Sequence, residues 1–144
     1  MELRNFPLAW RWTDERYAVL PEHVLVQITP QTAVQSKQLF EASLQFTGSD
    51  GLDEKQFFIN QLITKDKNPL AVSKWLRTHH GSLNTSVFLS WQPYTAVITT
   101  WGIFAEYWSE FCYPDSDDLL VWSSEHDWVI LYHHEEFFQY GTRS

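Results

Sequence analysis

Residues 100–122 read TWGIFAEYWSEFCYPDSDDLLVW. Trp101, Phe104, Ala105, Trp108, Phe111 and Cys112 fall at i, i+3, i+4, i+7, i+10 and i+11. That spacing lays an apolar stripe along one side of a helix over 101–112 and turns Glu106, Ser109 and Glu110 away. Thr100 is placed to cap it and Pro114 to stop it. Tyr113 to Asp118 reads as a turn, because proline fixes φ and the Asp and Ser side chains bond nearby amides. Leu119–Trp122 then opens as a short strand.

Downstream, Trp128, Ile130 and Tyr132 share one face of a strand over 128–133, and Phe137–Tyr140 forms a last one. Short strands with polar links predict an antiparallel meander. Upstream, Val87, Leu89 and Trp91 alternate with their neighbours, a turn follows at Gln92-Pro93-Tyr94, and 95–99 makes another strand. Before Thr85 the signals are helical. Asn68-Pro69 is a cap and first helical residue for a helix to Thr78, ended by Gly81. Thr29-Pro30 repeats that pattern for a helix over 30–43, and Asp53–Lys65 reads as a third. Thr13 is placed to cap a short helix through Tyr17, and Val24, Val26 and Ile28 alternate like a short strand. The sum is one α+β domain over 1–144, with N-terminal helices dominating 30–80 and packed on a C-terminal antiparallel β-meander.

Composition narrows the function. Aromatic residues make 17% of the chain, which excludes a disordered segment. One Cys excludes an internal disulfide framework and points to a reducing, cytoplasmic setting. No apolar run reaches the ~20 residues of a membrane helix, and the first twelve residues lack a signal-peptide core. Residues 1–81 hold nine Lys/Arg and nine Asp/Glu, whereas 82–144 hold one Lys/Arg and nine Asp/Glu. The net charge of −8 therefore belongs to the C-terminal part. Such a field disfavours nucleic acid and anionic membranes and favours a basic protein partner. Solubility alone is the plainer use of the same charge.

Candidate chemistry is sparse. His133-His134-Glu135-Glu136 contains His-x-Glu, but no Pro-Cys-x-x-Cys follows to complete a deaminase zinc site. Adjacent strand residues point to opposite faces, so His133 and His134 are not expected to share a metal. Asp115-Ser-Asp117-Asp118 begins like a calcium loop, yet Leu120 stands where glycine is required and His126 where glutamate is. Cys112 lies on the apolar stripe and reads as a buried small hydrophobe rather than a nucleophile. The eight Trp read mostly as core. No catalytic residue, metal ligand or cofactor is assigned.

The pattern Thr100-Trp101-x-Ile103-Phe104-x-x-Tyr107-Trp108-x-x-Phe111-Cys112-Tyr113-Pro114-x-Ser116-Asp117-Asp118, then Trp128-x-x-Leu131-Tyr132-x-His134-Glu135-Glu136, resembles small uncharacterised bacterial protein families. In layout it is similar to compact acidic immunity proteins that neutralise polymorphic toxins, the Smi1/Knr4-like superfamily among them. The resemblance implies a non-enzymatic module that inhibits a basic toxin or nuclease. The expected surface is Asp115, Asp117, Asp118, Glu125, Asp127, Glu135 and Glu136, with Trp122 and Tyr140 as apolar anchors. The 115–118 and 133–136 turns are expected at one end of the meander, and 123–127 at the other. Replacing Asp117 and Asp118 by Asn is expected to slow association and leave the fold intact. The alternative is a small metal-dependent hydrolase using His133 or His134 with the Asp115–Asp118 turn.

Overall fold

The computed structural model describes residues 1–80, 82–124 and 127–143. The C-terminal meander forms as its alternation dictates. β6 (Leu119–Trp122), β7 (Trp128–His133) and β8 (Phe137–Arg143) are antiparallel neighbours. β4 (Ser86–Gln92) and β5 (Thr95–Thr100) make the hairpin read around Gln92-Pro93-Tyr94, and β4 pairs with β6. Two further strands close the edges. β2 (Thr29–Pro30) adds to β5, and β3 (Phe57–Ile63) adds to β8. The described residues thus form a seven-stranded antiparallel sheet, β2-β5-β4-β6-β7-β8-β3. A separate two-residue strand, β1 (Ala18–Val19), bridges Thr13 and Asp14.

Alternate residues supply the two faces. Val97, Leu89, Val121, Ile130 and Tyr140 align across five strands. They belong to the main core, which is closed by α1 (Trp10–Thr13), α2 (Glu22–Leu25), α4 (Pro69–His79), α5 (Trp101–Glu106) and α6 (Trp108–Phe111). The opposite row runs Phe88, Trp122, Val129, Gly141 and Ile59. It packs with Phe46, Leu52 and Phe57, and Leu39 of α3 (Ala33–Ser43) joins it. A Cβ at Gly141 would meet Leu52 at 3.0 Å and Phe57 at 3.1 Å, so glycine lets the β3 lead-in close over β8.

The tryptophans build the core and also fasten it. Among the described residues, Trp12 donates to the Glu110 carbonyl and Trp91 to that of Phe111, both at 2.9 Å. Those carbonyls lie at the end of α6, where a helix leaves acceptors unused. Trp101 and Trp108 similarly tie to His80 and Pro69 at 3.0 Å.

Several local expectations are corrected. The 53–65 segment holds the strand β3 over Phe57–Ile63, not a helix: its apolar residues fit either period, and pairing with β8 decides. Helices therefore do not fill 30–80. Pro30 lies in the edge strand β2, where a missing N–H is tolerated, and α3 starts three residues later. Its cap is Thr32, which accepts from the Gln35 amide while Gln35 returns the bond. Thr13 ends α1 rather than capping a helix, its hydroxyl donating to the Ala9 carbonyl at 2.9 Å. Val24 lies in α2, buried, with Val26 68% exposed, so no strand forms there. The 101–112 helix breaks at Tyr107 into α5 and α6; its Thr100 cap is present, accepting from Ile103 at 3.2 Å. Asn68 caps α4 as read, accepting from the Leu70 amide. Gly81 lies outside the described residues. Among those described, no helix is long and apolar enough to cross a membrane.

Candidate functional site

The 115–118 and 133–136 turns meet at one end of the sheet. Asp115 sits at φ 68° and Glu136 at φ 67°, left-handed conformations that tighten both turns. The Asp115 N–H donates to the His134 carbonyl at 3.0 Å. Asp118 Oδ1 accepts from the His134 backbone N–H at 3.0 Å and bonds its ring Nδ1 at 2.9 Å. The Glu136 N–H closes the β7–β8 turn on the His133 carbonyl at 2.9 Å. Asp115, Asp118 and Glu135 are exposed on this rim and Glu136 is half-buried. Among the described residues no Lys or Arg forms an ion pair with any of these four. Lys65 and Lys67 follow β3 beside it, where the Thr64 N–H meets the Glu136 carbonyl.

Asp117 departs from its neighbours. It is 7% exposed and points into the protein. Arg11 of α1 grips both its oxygens, Nη1 to Oδ2 at 2.6 Å and Nη2 to Oδ1 at 3.0 Å. The Tyr113 N–H donates to Oδ2 at 2.8 Å and Ser116 Oγ to Oδ1 at 3.3 Å. The Arg11 guanidinium lies 4.0 Å from the Tyr113 ring centroid. This bidentate pair pins the N-terminal helix to the turn. Asp117 is thus a structural anchor, and the expectation that it can be neutralised with Asp118 at no cost to the fold is corrected. Behind it, Cys112 is 2% exposed. Burial, and then the Asp117 charge, push its thiol well above the ordinary range, which leaves it protonated and inert.

The expected apolar anchors are also inside. Trp122 is 7% exposed between Phe46 and Phe88, ring centroids 5.5 and 5.4 Å away. Tyr140 stacks on Trp128 and His79 and donates to the His79 carbonyl at 3.1 Å. Neither is presented to a partner, because both faces of the sheet are covered where they stand. Asp127 is exposed at the far end of the meander, with its carbonyl bonded by the Arg143 N–H. Glu125 and His126 lie outside the described residues.

Among the described residues one group has metal-ligating chemistry. Asp118, His133 and His134 each offer an atom within 4.8 Å of the others. The strand ends at His133, so the two imidazoles stack at 4.2 Å instead of facing opposite ways, correcting the strand-based expectation. The Asp118 carboxylate orients His134 through Nδ1 and leaves Nε2 outward. His133 suits a metal less. Its Nδ1 accepts the Glu135 N–H at 3.1 Å, which leaves the proton of the neutral ring on Nε2.

The His134 ring is raised above the usual imidazole range, first by its bond to Asp118. Burial pushes Asp118 up, but the His134 ring and backbone bonds outweigh it, and the net shift is downward. The pair therefore favours carboxylate with imidazolium.

A concavity of about 1120 Å³ lies elsewhere and was not anticipated. Trp10, Leu25, Val26 and Ile28 wall it, and Asp14 and Arg16 within it pair at 2.7 Å. Trp10 packs edge-on to Tyr17 and Tyr113.

An antiparallel seven-stranded sheet with helices on one face, α3 on the other and an acidic rim defines an α+β protein. The family model for proteins of unknown function designated DUF2947 matches residues 1–141, and the chain belongs to that family. No curated protein matches it.

Proposed function

We propose that the protein is a non-enzymatic binding module whose acidic rim receives a basic protein partner. One observation carries the reading: two turns from separate parts of the meander are bonded together so that Asp115, Asp118 and Glu135 share one exposed end. Preset carboxylates steer a cationic partner and pair with its Arg and Lys at little ordering cost. The role extends to an immunity-type inhibitor of a basic toxin or nuclease. The surface differs from the one read in sequence: Asp117, Trp122 and Tyr140 leave it, Asp127 stands at the far end, Glu125 lies outside the described residues, and Asp115, Asp118, Glu135 and Glu136 remain.

The test uses the chain immobilised against lysate of its native host. A partner captured by wild type should be lost, or need lower salt, with Asp115→Asn, Asp118→Asn and Glu135→Gln combined. Capture that is indifferent to the triple variant and to salt defeats the reading.

A metal-dependent hydrolase has the Asp118–His133–His134 grouping in its favour. Zinc titration followed by calorimetry separates the two, since only the hydrolase reading requires stoichiometric binding abolished by His134→Ala.

A further inference from the structure

The sheet has two unlike edges. β2 is two residues long and ends in Pro30, so it offers little to a pairing strand. β3 runs seven residues, FFINQLI, with no charge and no proline. Alternation fixes which of its backbone groups face out. The Thr64 N–H donates to the Glu136 carbonyl at 2.8 Å, and on the other side of β8 the Arg143 N–H donates to the Asp127 carbonyl at 3.1 Å. Even-numbered residues of β3 therefore bond to β8. The backbone N–H and C=O groups of Ile59, Gln61 and Ile63 point away from the sheet. The Phe57 N–H also points out but is taken by the Asp53 carbonyl at 3.1 Å. Along this edge Phe58 is 68% exposed and Ile63 59%. A monomer ordinarily guards such an edge with a bulge, a proline or a charge within the strand.

We propose that β3 is a homodimer interface, where the β3 strands of two copies pair antiparallel about a two-fold axis at Asn60 and join two sheets into one. The strand suits its own copy in this register. Phe57 falls opposite the second copy's Ile63, and Phe58 opposite its Leu62, so apolar meets apolar on both faces. Ile59 and Gln61 exchange N–H and C=O bonds across the axis. Ile63 donates to the Phe57 carbonyl, the one outward residue whose own N–H is already used. Every outward N–H of β3 thereby finds an acceptor. Centring on Gln61 instead would set Leu62 against Asn60 and Phe58 against Thr64. The residues flanking the strand, Glu54, Lys55, Lys65 and Asp66, sum to no net charge. The net −8 of each chain is thus not concentrated at the contact. The interface is isologous, as a two-fold dimer requires, and stands independently of the acidic rim.

Light scattering over about a hundredfold dilution series should give a mass near twice the 17.0 kDa of one chain at the concentrated end. Asn60→Cys tests the register. The axis places both thiols in a non-hydrogen-bonded pair with Cα atoms about 4.5 Å apart, within disulfide reach. Oxidation should yield a covalent dimer, whereas Phe58→Cys, which faces Leu62 rather than itself, should not. Gln61→Pro removes an outward N–H and no backbone bond to β8, giving up the exposed side-chain bond in which Gln61 Oε1 accepts from Gln139 Nε2 at 3.0 Å, and Phe58→Lys adds a charge to an exposed side chain. Both should give monomers with the circular dichroism of wild type; if the proline variant does not fold, Phe58→Lys carries the test. A wild-type chain monomeric throughout overturns the proposal. So does a dimer that survives Phe58→Lys, or cross-linking as efficient at Phe58→Cys as at Asn60→Cys.

Discussion

Asp117 and Asp118 are neighbours in one turn and form two contrasting ion pairs. Asp117 faces inward to Arg11, with side chains 8% and 6% exposed. Asp118 faces outward to His134, with side chains 56% and 44% exposed. In each a carboxylate accepts from a cationic side chain and from a backbone amide, Asp117 taking a second Arg11 bond and the Ser116 hydroxyl besides. Burial separates their roles. Desolvation makes the inward pair costly to break singly, while water and salt screen the outward one and leave it free to exchange partners. One residue step in a strand-entry turn thus divides a structural lock from an exposed pair on the proposed binding rim.

The largest effect should come from breaking the lock. Asp117→Asn leaves the Arg11 charge buried without its counterion, and a loss of about 3–5 kcal/mol is expected in urea unfolding. Arg11→Met with Asp117→Leu removes both charges and should recover much of that loss. A single variant as stable as wild type would erase the contrast between the pairs.

Cys112 reports the same lock by another route. Its thiol is buried and kept protonated, so reagent attack requires opening of the turn and α6. Native labelling should be slow. If Asp117→Asn lowers the opening cost as above, at one decade per 1.4 kcal/mol, labelling should accelerate about a hundredfold or more. Rapid labelling of wild type would instead place the thiol at the surface.

These contrasts mark what sequence could and could not reveal. The meander of β6, β7 and β8 was legible because Trp128, Ile130 and Tyr132 alternate between polar turns. Asn68-Pro69 and Thr29-Pro30 looked alike, yet only the first starts a helix. The distinguishing signal was present in Thr32 and Gln35, a reciprocal cap three residues apart. β3 was misread because its helix-like spacing is outweighed by a partner strand some eighty residues later, which no local period encodes. Likewise nothing around Asp117 marks it off from Asp115 or Asp118. Its partner lies 106 residues away. Trp122 and Tyr140 were taken for anchors by their acidic company, and the sheet's second covered face hides the former.

On the outward side, the expected effects are kinetic. With a partner in hand, Asp118→Asn should slow association and flatten its salt dependence while leaving dissociation nearly unchanged, the behaviour of a rim charge. Stopped-flow rates at two salt concentrations decide it. A change confined to dissociation would mean that Asp118 is desolvated in the complex and behaves like a second Asp117.

The smallest effect belongs to the Asp118–His134 pair in the free protein, and its sign can be worked out. His134 is raised from 6.5, so its contribution is fully present below that value and is lost as pH climbs through the folded pKa. Asp118 is lowered from 3.8, so its contribution is present above that value and is lost as pH falls through its folded pKa. Both are in place between 3.8 and 6.5, and the acid-side loss lies below 3.8. The exposed geometry leaves the melting temperature nearly flat across this window, so the readout is the imidazole itself. In an NMR titration His134 should have a midpoint above the ordinary imidazole value, and Asp118→Asn should bring it down. Asp117→Asn, provided the chain stays folded, should barely move it. If Asp117→Asn shifts the His134 midpoint as much as Asp118→Asn does, the two pairs form one network, and the lock and the proposed binding rim are not separable.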